Sequence, residues 1–587
     1  MSVTATIPTL GTRPLAWLRG RFRASEAWFI VLAIAVGAGA GLLAVVQEHL
    51  AHGLQERLYG ITPDERLSAS AVISPIAAVW LVAGGLLLAA FNWLISFWKS
   101  RPIIDVVEAN SLYGGRMSLR GSLVICMQTL VSNGFGASVG LEAAYAQAGG
   151  GLASALGQRL RLRRNDLRTL VGAGAGAAIG AAFGAPLAGA FYAFEVVIGS
   201  YAPSMIAPVA AACLAAIASS AMLGAGSYAI EVSIRQSPTV ADYALYAGLG
   251  AICAVVGVLL MLLVARADQS MRRLPLSAPL RLALGGLMLG GLAVISPQIM
   301  SSGHGALQLD LATVFPLSVL AAMLALKVLA SVVSLASGFR GGLFFASLFL
   351  GSLVGQIYAR LLNLTDLPAV LDPQNAALVG MGALATAVVG GPLTMSFLVL
   401  ETTHDFGVTA ATLAASLVAS SVVRERFGYS FSTWRLHLRG ETIRSARDVG
   451  WVRTLTAGRM MRTDISTIPE SASLAEFRRR FPLGGGGRVV LLDETGGYAG
   501  LAPTAAAYME GHTPDERAAS LAETKTVTLT PQMNIAEVMQ TFDATQTEEL
   551  AVVDAGGAVV GLLAEAYVSR RYAKELERVQ ESLFGEG

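Results

Sequence analysis

One carboxylate, Glu142, stands in a segment with nothing to neutralise it. Its setting, Gly-Ala-Ser-Val-Gly-Leu-Glu-Ala-Ala-Tyr-Ala-Gln (136–147), has no basic residue within ten positions on either side. An ionisable group in such apolar surroundings is costly and by default functional. Its cost when charged suits it to taking up and releasing a proton. The glycines before it suit a turn that opens a helix, whose free N–H groups attract anions. A carboxylate at that end could occupy an anion position when ionised and vacate it when protonated, which would be a gate. The plain alternative is a helix cap or a buried structural acid.

A related arrangement occurs further on. Gly341-Gly342-Leu343-Phe344 repeats the glycine-then-helix pattern, so Phe344, with Phe345 beside it, could offer backbone N–H groups and an aromatic wall. Two more acids, Glu195 and Glu401, end apolar runs at matching places and read as structural groups bonding to N–H groups at helix junctions. His304 lies in a glycine-rich loop and reads as surface or structural. The six histidines show no metal spacing, and Cys126, Cys213 and Cys253 sit in apolar surroundings. No nucleophile elbow, phosphate loop or zinc-protease motif occurs, so the reading is not an enzyme.

The elements that must position these groups repeat. Phe183-Gly-Ala-Pro-Leu-Ala-Gly-Ala-Phe-Tyr-Ala-Phe-Glu195 matches Val389-Gly-Gly-Pro-Leu-Thr-Met-Ser-Phe-Leu-Val-Leu-Glu401, and Pro186 to Glu195 and Pro392 to Glu401 are both nine positions. Gly140-Leu141-Glu142 pairs with Gly342-Leu343-Phe344 upstream. Two such halves with interrupted helices suggest a transporter whose site lies between them. Recurrent small residues in a tightly packed bundle are the competing explanation.

Composition agrees. Of 587 residues 54% are apolar, 14% are charged and 64 are glycine, with mean hydropathy +0.59, whereas soluble proteins carry roughly 25% charge. The net charge of +2 offers no field for nucleic acid. The charge is uneven: 36 charged residues fall in the 147 from Glu441 onward, and 46 in the first 440. This predicts a cytoplasmic N-terminal segment (1–26), a transmembrane domain (27–440) and a soluble domain (441–587). Uncharged runs long enough to span, which takes roughly 20 residues, include Ala27–Gln47, Ser68–Trp98, Thr169–Phe194, Val196–Ile230, Tyr243–Ala265, Leu282–His304 and Pro373–Leu400. Val328–Phe339 is shorter. Ten or more helices of unequal length are expected, some stopping inside the bilayer. Arginine clusters at 13–23, 159–168 and 266–281 place those loops, the N-terminus and the tail on the cytoplasmic side. Compact loops suggest a bacterial inner membrane.

The tail repeats at an offset of 61: Leu474-Ala-Glu476 with Ile535-Ala-Glu537, Asp493 with Asp554, Gly500 with Gly561. Each unit reads helix, strand (Val489–Leu492; Leu550–Val553), Asp-x-x-Gly turn, strand.

Together these residues resemble the CLC family of chloride channels and proton/chloride antiporters. The 183–195 block is close to the family signature, Gly140-Leu-Glu142 looks like its Gly-Arg-Glu-Gly-Pro segment, and Gly341-Gly-Leu-Phe344 like its Gly-x-Phe-x-Pro segment. Tyr429-Ser-Phe-Ser-Thr-Trp434 sits where the last membrane helix supplies a pore tyrosine, and the tail resembles tandem CBS domains (about 457–510 and 523–578). The resemblance implies a polytopic α-helical membrane protein of inverted-repeat fold with broken helices. It implies a homodimer with a pore in each subunit, chloride as the transported ion and a voltage- or pH-opened path. Glu142 would be the gating and proton-accepting glutamate, with Gly140, Leu141, Phe344, Phe345, Tyr429 and Phe431 lining the anion path.

Departures from the pattern carry their own expectations. Ala143 and Ala346 stand where prolines would be, and Leu141 replaces the usual basic residue. Arg340 just before Gly341 is expected to restore positive charge at the outer entrance. Ser100-Arg101-Pro102-Ile103 falls where the Gly-Ser-Gly-Ile-Pro segment would be, putting Arg101 near the inner site. Phe431 aligns with the pore tyrosine, with Tyr429 two positions away. Val196 follows Glu195 where antiporters carry a second glutamate, which favours channel-like or weakly coupled transport over a strictly coupled antiporter. Gly561-Leu-Leu-Ala-Glu565 and Gly500-Leu-Ala-Pro-Thr504 match an adenine-nucleotide motif poorly, so no cofactor is expected and the tail reads as a dimerisation module. A CBS-regulated divalent-cation transporter would want several converging intramembrane carboxylates.

Overall fold

The computed structural model describes residues 25–97, 103–224, 237–240, 242–365, 371–437, 455–483, 487–509 and 511–571. The chain divides into two compact units, 1–448 and 449–587. The boundary read from charge, near 441, and Arg101 both lie outside the described residues.

The first unit is helical. Among the described residues, eight helices are long and apolar enough to cross a membrane, from Glu26–Tyr59 to the helix that begins at Phe406. Helices are cut where the sequence places glycine and proline. Gly184 (φ 65°) ends the helix Arg164–Phe183 in the left-handed region, and Pro186 opens the next, Pro186–Tyr192. Gly390 (φ 92°) and Pro392 do the same between Pro373–Val389 and Pro392–Thr403. Glycine tolerates that backbone conformation and proline fits a first helical turn, so each pair makes a sharp break without strain.

The uncharged runs overstate some spans. Within Ser68–Trp98 only Val79–Ser96 is a regular α-helix, and within Val196–Ile230 the long helix is Pro203–Met222. Conversely, Val328–Phe339 covers only the second half of Leu317–Ser337 and runs two residues past its end, because Lys327 interrupts the uncharged run without interrupting the helix.

The two halves use the same close crossing. Gly149 lies seven residues after Glu142, and a Cβ there would come 2.1 Å from the Gly174 carbonyl oxygen. Gly351 lies seven residues after Phe344, and a Cβ there would come 2.3 Å from the Gly380 oxygen. No side chain fits at either point, so Glu142–Arg159 packs backbone to backbone on Arg164–Phe183, and Phe344–Leu362 on Pro373–Val389. Small residues permit this approach, on which helix association in lipid depends.

The halves are also tied reciprocally. The Glu195 carboxylate, in a π-helical turn (Ala193–Ile198), accepts hydrogen bonds from Leu393 N–H (3.1 Å), Thr394 N–H (2.8 Å) and the Thr394 hydroxyl (2.7 Å). The Glu401 carboxylate accepts from Leu187 N–H (2.8 Å) and Ala188 N–H (2.9 Å). Each acid therefore caps the first turn of the other half's helix, where the helix dipole favours a negative charge. Removing an acceptor leaves helix N–H groups unpaired, at about 1–3 kcal/mol each. Glu195→Ala and Glu401→Ala are each expected to lower the thermal unfolding midpoint in detergent by several degrees. The glutamine variants, which keep one acceptor, should lose less. Equal midpoints for parent and alanine variants would remove these caps from the stability account.

In the second unit, strands Arg488–Leu492 and Tyr498–Pro503 pair antiparallel, with Thr467–Pro469 parallel to the first; Glu549–Val553 and Val559–Ala564 pair antiparallel. Helices Leu474–Arg480 and Ile535–Thr545 precede the two hairpins. Asp493 accepts from Thr495 and Gly497 N–H groups, and Asp554 from Gly556 and Ala558, closing equivalent turns. Register shifts fall at Leu491/Leu492 and Val552/Val553, the same place in each copy. Val490 and Leu501 of one copy bury against Ala551 and Leu562 of the other, so this unit is an α/β module present twice and packed as a pair.

Candidate functional site

Gly140 and Gly342, the glycines that pair in the sequence repeat, pair in space. Gly140 N–H donates to the Gly342 carbonyl (3.0 Å) and Gly342 N–H to the Gly140 carbonyl (3.4 Å), forming a two-residue antiparallel bridge. This bridge holds the starts of Glu142–Arg159 and Phe344–Leu362 against each other. Two helix N-termini thereby converge on one spot, and their unpaired N–H groups make it favourable to negative charge.

Glu142 occupies that spot. It is the first residue of its helix and only 3% exposed. Its carboxylate folds back over Gly140, so a Cβ on Gly140 would lie 1.8 Å from Oε2. The polar groups acting on it are its own N–H, the Phe345 N–H and, through space, the Lys327 ammonium. Neither carboxylate oxygen completes a hydrogen bond of regular geometry among the described residues. A buried carboxylate facing N–H groups without a bond of regular geometry has few contacts to break on leaving.

Aromatic side chains close one side. Phe344 packs against Phe183 (centroids 5.4 Å) and Tyr192 (6.1 Å), and Phe345 stacks on Phe183 (6.1 Å). Leu141, the N-cap, is buried. His304 opens the helix His304–Ala312 rather than lying in a loop, and its ring rests 3.5 Å, centroid to centroid, from that of Phe345. Gly140, Leu141, Glu142, Phe344 and Phe345 thus form one cluster.

Tyr429 and Phe431, also singled out from the sequence, lie in a second region. Tyr429 packs against Phe427 and Trp434 (6.0 and 5.5 Å) and lines a cavity of about 440 Å³ with Glu195, Val196, Thr386, Arg424 and Ser430. Phe431 is buried at the start of Phe431–His437. Thr386, near the end of Pro373–Val389, is buried and lines this cavity, and among the described residues its hydroxyl has no hydrogen-bond partner. It is a donor the sequence reading missed, because a threonine in an apolar run carries no signal by itself. Arg340 is half-buried, its N–H donating to Ser132 Oγ (2.9 Å).

Lys327 was also missed. It is fully buried in the middle of Leu317–Ser337, so Glu142 is not as isolated from positive charge as its sequence neighbours imply. The available signal was a single lysine between two uncharged runs, 311–326 and 328–339.

With this geometry in hand, comparisons with known proteins become specific. The family model described as voltage gated chloride channel matches residues 84–424. A putative chloride channel protein, ClcB-like, of Ralstonia nicotianae is 32% identical over 398 residues, covering 66% of this chain and 92% of that protein. The voltage-gated ClC-type chloride channel ClcB of Citrobacter koseri is 28% identical over 351 residues, 58% of this chain and 82% of that one. Among solved structures, a slow cyanobacterial Cl⁻/H⁺ antiporter superposes with TM-score 0.62 at 24% identity, over 70% of this chain and 97% of that one. A eukaryotic CLC transporter superposes with TM-score 0.58 at 19% identity, over 94% of this chain and 98% of that one, a match that must extend into the second unit. At these identities the structures speak for the fold alone. Sequence and fold agree: this is an integral, multi-pass membrane protein that belongs to the CLC family of chloride channels and transporters, not to any enzyme family.

Proposed function

We propose that the chain moves chloride across the membrane through a separate path in each subunit of a homodimer, with Glu142 as the gate. The observation that carries this is the Glu142 carboxylate between two helix N-termini, buried and without regular hydrogen bonds. Ionised, it fills the place an anion would take. Protonated, it loses its attraction to the N–H groups, withdraws, and chloride replaces it. Phe344 and Phe345 wall this position, with Gly140 and Leu141 at its entrance. Tyr429 and the Thr386 hydroxyl serve the second cavity, Phe431 packs in the core at the start of its short helix, and Arg340 adds positive charge outside.

Channel-like or weakly coupled transport is the favoured form. Val196 stands beside Glu195 at the second cavity, and Glu195 is held by three donors from Leu393 and Thr394. A carboxylate so engaged is a cap for the helix that begins at Pro392. The relatives in Ralstonia and Citrobacter carry the names of a putative and a voltage-gated chloride channel. A strictly coupled antiporter is the second reading, since the CLC family contains channels and proton-coupled transporters alike.

The paired α/β modules are read as tandem CBS domains acting in dimerisation, on the cytoplasmic side of a bacterial inner membrane. At the positions a nucleotide motif would use, Thr504 is buried with its N–H bonded to Gly487, and the Glu565 N–H is bonded to Glu548. Both features support a structural module over a nucleotide site.

Purified full-length protein in vesicles decides the mode of transport. Chloride efflux should greatly exceed proton movement, and their ratio should vary with the imposed gradients. A fixed chloride-to-proton ratio would overturn the channel-like form in favour of the antiporter.

A further inference from the structure

Among the described residues two carboxylates are buried, Glu142 at 3% exposure and Asp310 at 1%, and the gate uses only the first. An ionisable side chain inside the membrane is costly to keep without a task. Asp310 lies on the short helix His304–Ala312 and faces the long helix Phe344–Leu362. Its carboxylate accepts from Ser352 Oγ (2.5 Å) and its carbonyl from Gln356 Nε2 (3.2 Å), both on that long helix. Arg360, one turn further on, donates to the Phe315 carbonyl just past the end of the short helix. A hydrogen bond to an ionised acceptor is about twice as strong as one between neutral groups, so Asp310 is the firmest of the three ties.

The short helix is itself anchored. Ser68 Oγ accepts from Gly305 N–H (3.0 Å) and Ala306 N–H (3.2 Å), and a Cβ on Gly305 would come 2.7 Å from Ala69 Cβ. Its first turn is therefore seated on the turn Leu67–Ala69. From there the two helices run side by side in the same direction. His304 meets Phe345 at one end and Asp310 meets Ser352 at the other, six residues apart on one helix and seven on the other. Phe345, Phe349, Ser352 and Gln356 follow at four, three and four residues, the spacing of one helical face. Gly351 and Gly355, beside that face, lie bare against the carbonyls of Gly380 and Ala376. A contact of backbone on backbone offers few side-chain ridges to fix the axial register, so the register of this helix depends on its other ties. The first half has a matching one. Ser154 follows Glu142 by twelve residues, as Gln356 follows Phe344, and it donates to the Gly115 carbonyl (2.6 Å) and accepts from Met117 N–H (2.8 Å).

We propose that Asp310 is a positioning residue of the anion site, whose carboxylate ties the axial position of Phe344–Leu362 to the anchored short helix. The inference rests on the Glu142 reading above. The Phe345 N–H is one of the groups acting on Glu142, and it moves with its helix. Held at the right depth, it serves the carboxylate when the gate is closed and chloride when the gate is open. Such a site needs its groups within about 0.5 Å of the productive geometry, and a helix free to slide does not keep them there.

Full-length proteins in vesicles test this: the parent, Asp310→Ala, Asp310→Asn, Ser352→Ala, and Glu142→Gln with and without Asp310→Ala. Chloride flux is measured against chloride concentration and against pH. Asp310→Ala is expected to raise half-saturating chloride about fivefold, the effect of one weakened N–H contact. It should also move the pH of half-maximal flux upward, because Glu142, less well held when ionised, takes up its proton more readily. Ser352→Ala should shift both readings the same way by a smaller factor. Asp310→Asn keeps an acceptor for Ser352 and should stay near the parent. In the Glu142→Gln background, Asp310→Ala should raise half-saturation alone, with flux still flat in pH. Lys327 and Tyr192 act on Glu142 and Arg360 on Asp310, and every variant keeps all three. A lost negative charge acting through space would therefore give the reverse: lower half-saturation and an acid shift, in the asparagine and alanine variants alike. That result would overturn the proposal. So would a lower thermal unfolding midpoint in Asp310→Ala and Ser352→Ala with both flux readings unchanged, which would leave Asp310 as a packing residue. If Asp310→Ala does not reconstitute, Ser352→Ala decides alone by the same two outcomes. A parent that moves no chloride would instead sink the transport reading itself.

Discussion

Replacing Glu142 by glutamine is expected to remove the pH dependence of chloride flux and any proton movement, while leaving the anion path open. Glutamine is nearly isosteric but cannot carry the negative charge that competes with chloride for the converging N–H groups. The sign follows from the gate. In the parent, lowering the pH protonates the carboxylate, withdraws it and raises flux, by at most about tenfold per pH unit for a single proton. In Glu142→Gln the flux should be flat with pH and match or exceed the parent's acid value. Flux recorded at a series of pH values on vesicles of both proteins checks this. A variant that behaves like the parent would mean that the gate lies elsewhere.

Gly140→Ala should open the gate by a different route. The added Cβ would fall 1.8 Å from Glu142 Oε2 and 2.7 Å from its Cδ. Gly140 cannot retreat easily, because both its N–H and its carbonyl are engaged by Gly342. The side chain of Glu142 is the flexible partner, so the carboxylate must move out of the anion position. Flux at alkaline pH should rise several-fold toward that of Glu142→Gln, and the pH profile should flatten. In a Glu142→Ala background the same methyl has nothing to displace, so the two substitutions should be strongly non-additive. Flux that falls equally in both backgrounds would show the methyl group blocking the path itself.

Much of this site is legible in the sequence, for identifiable reasons. The Gly-x-Pro breaks rest on backbone rules that act locally, so Gly184-Ala-Pro186 and Gly390-Gly-Pro392 announce helix ends directly. The register of the two halves is also visible, and Gly140 and Gly342 do meet. Partners distant in sequence are not legible. Nothing near Glu195 says that its carboxylate caps the helix beginning at Pro392, and nothing near Glu142 points to Lys327. A lysine between two uncharged stretches marks the edge of Val328–Phe339 in the sequence, although it sits at the centre of a helix. Thr386 was hidden because its hydroxyl becomes informative only when burial leaves it unpaired. The assignment between Tyr429 and Phe431 shows a third limit: two aromatics two residues apart align almost equally well, and only their surroundings separate them. Tyr429 lines the second cavity with Glu195, while Phe431 is packed into the core at the start of its short helix.

The central claim is that one carboxylate both blocks and opens the anion path. It is tested most directly by recording chloride efflux and external pH together, from vesicles of the parent and of Glu142→Gln, between pH 4.5 and 7.5, a window of about three units spanning the ordinary carboxylate range and neutrality. The account predicts parent efflux that rises as pH falls, and Glu142→Gln efflux that is constant and carries no protons. Parallel pH dependence in the two proteins, or loss of chloride efflux in the variant alone, would contradict it.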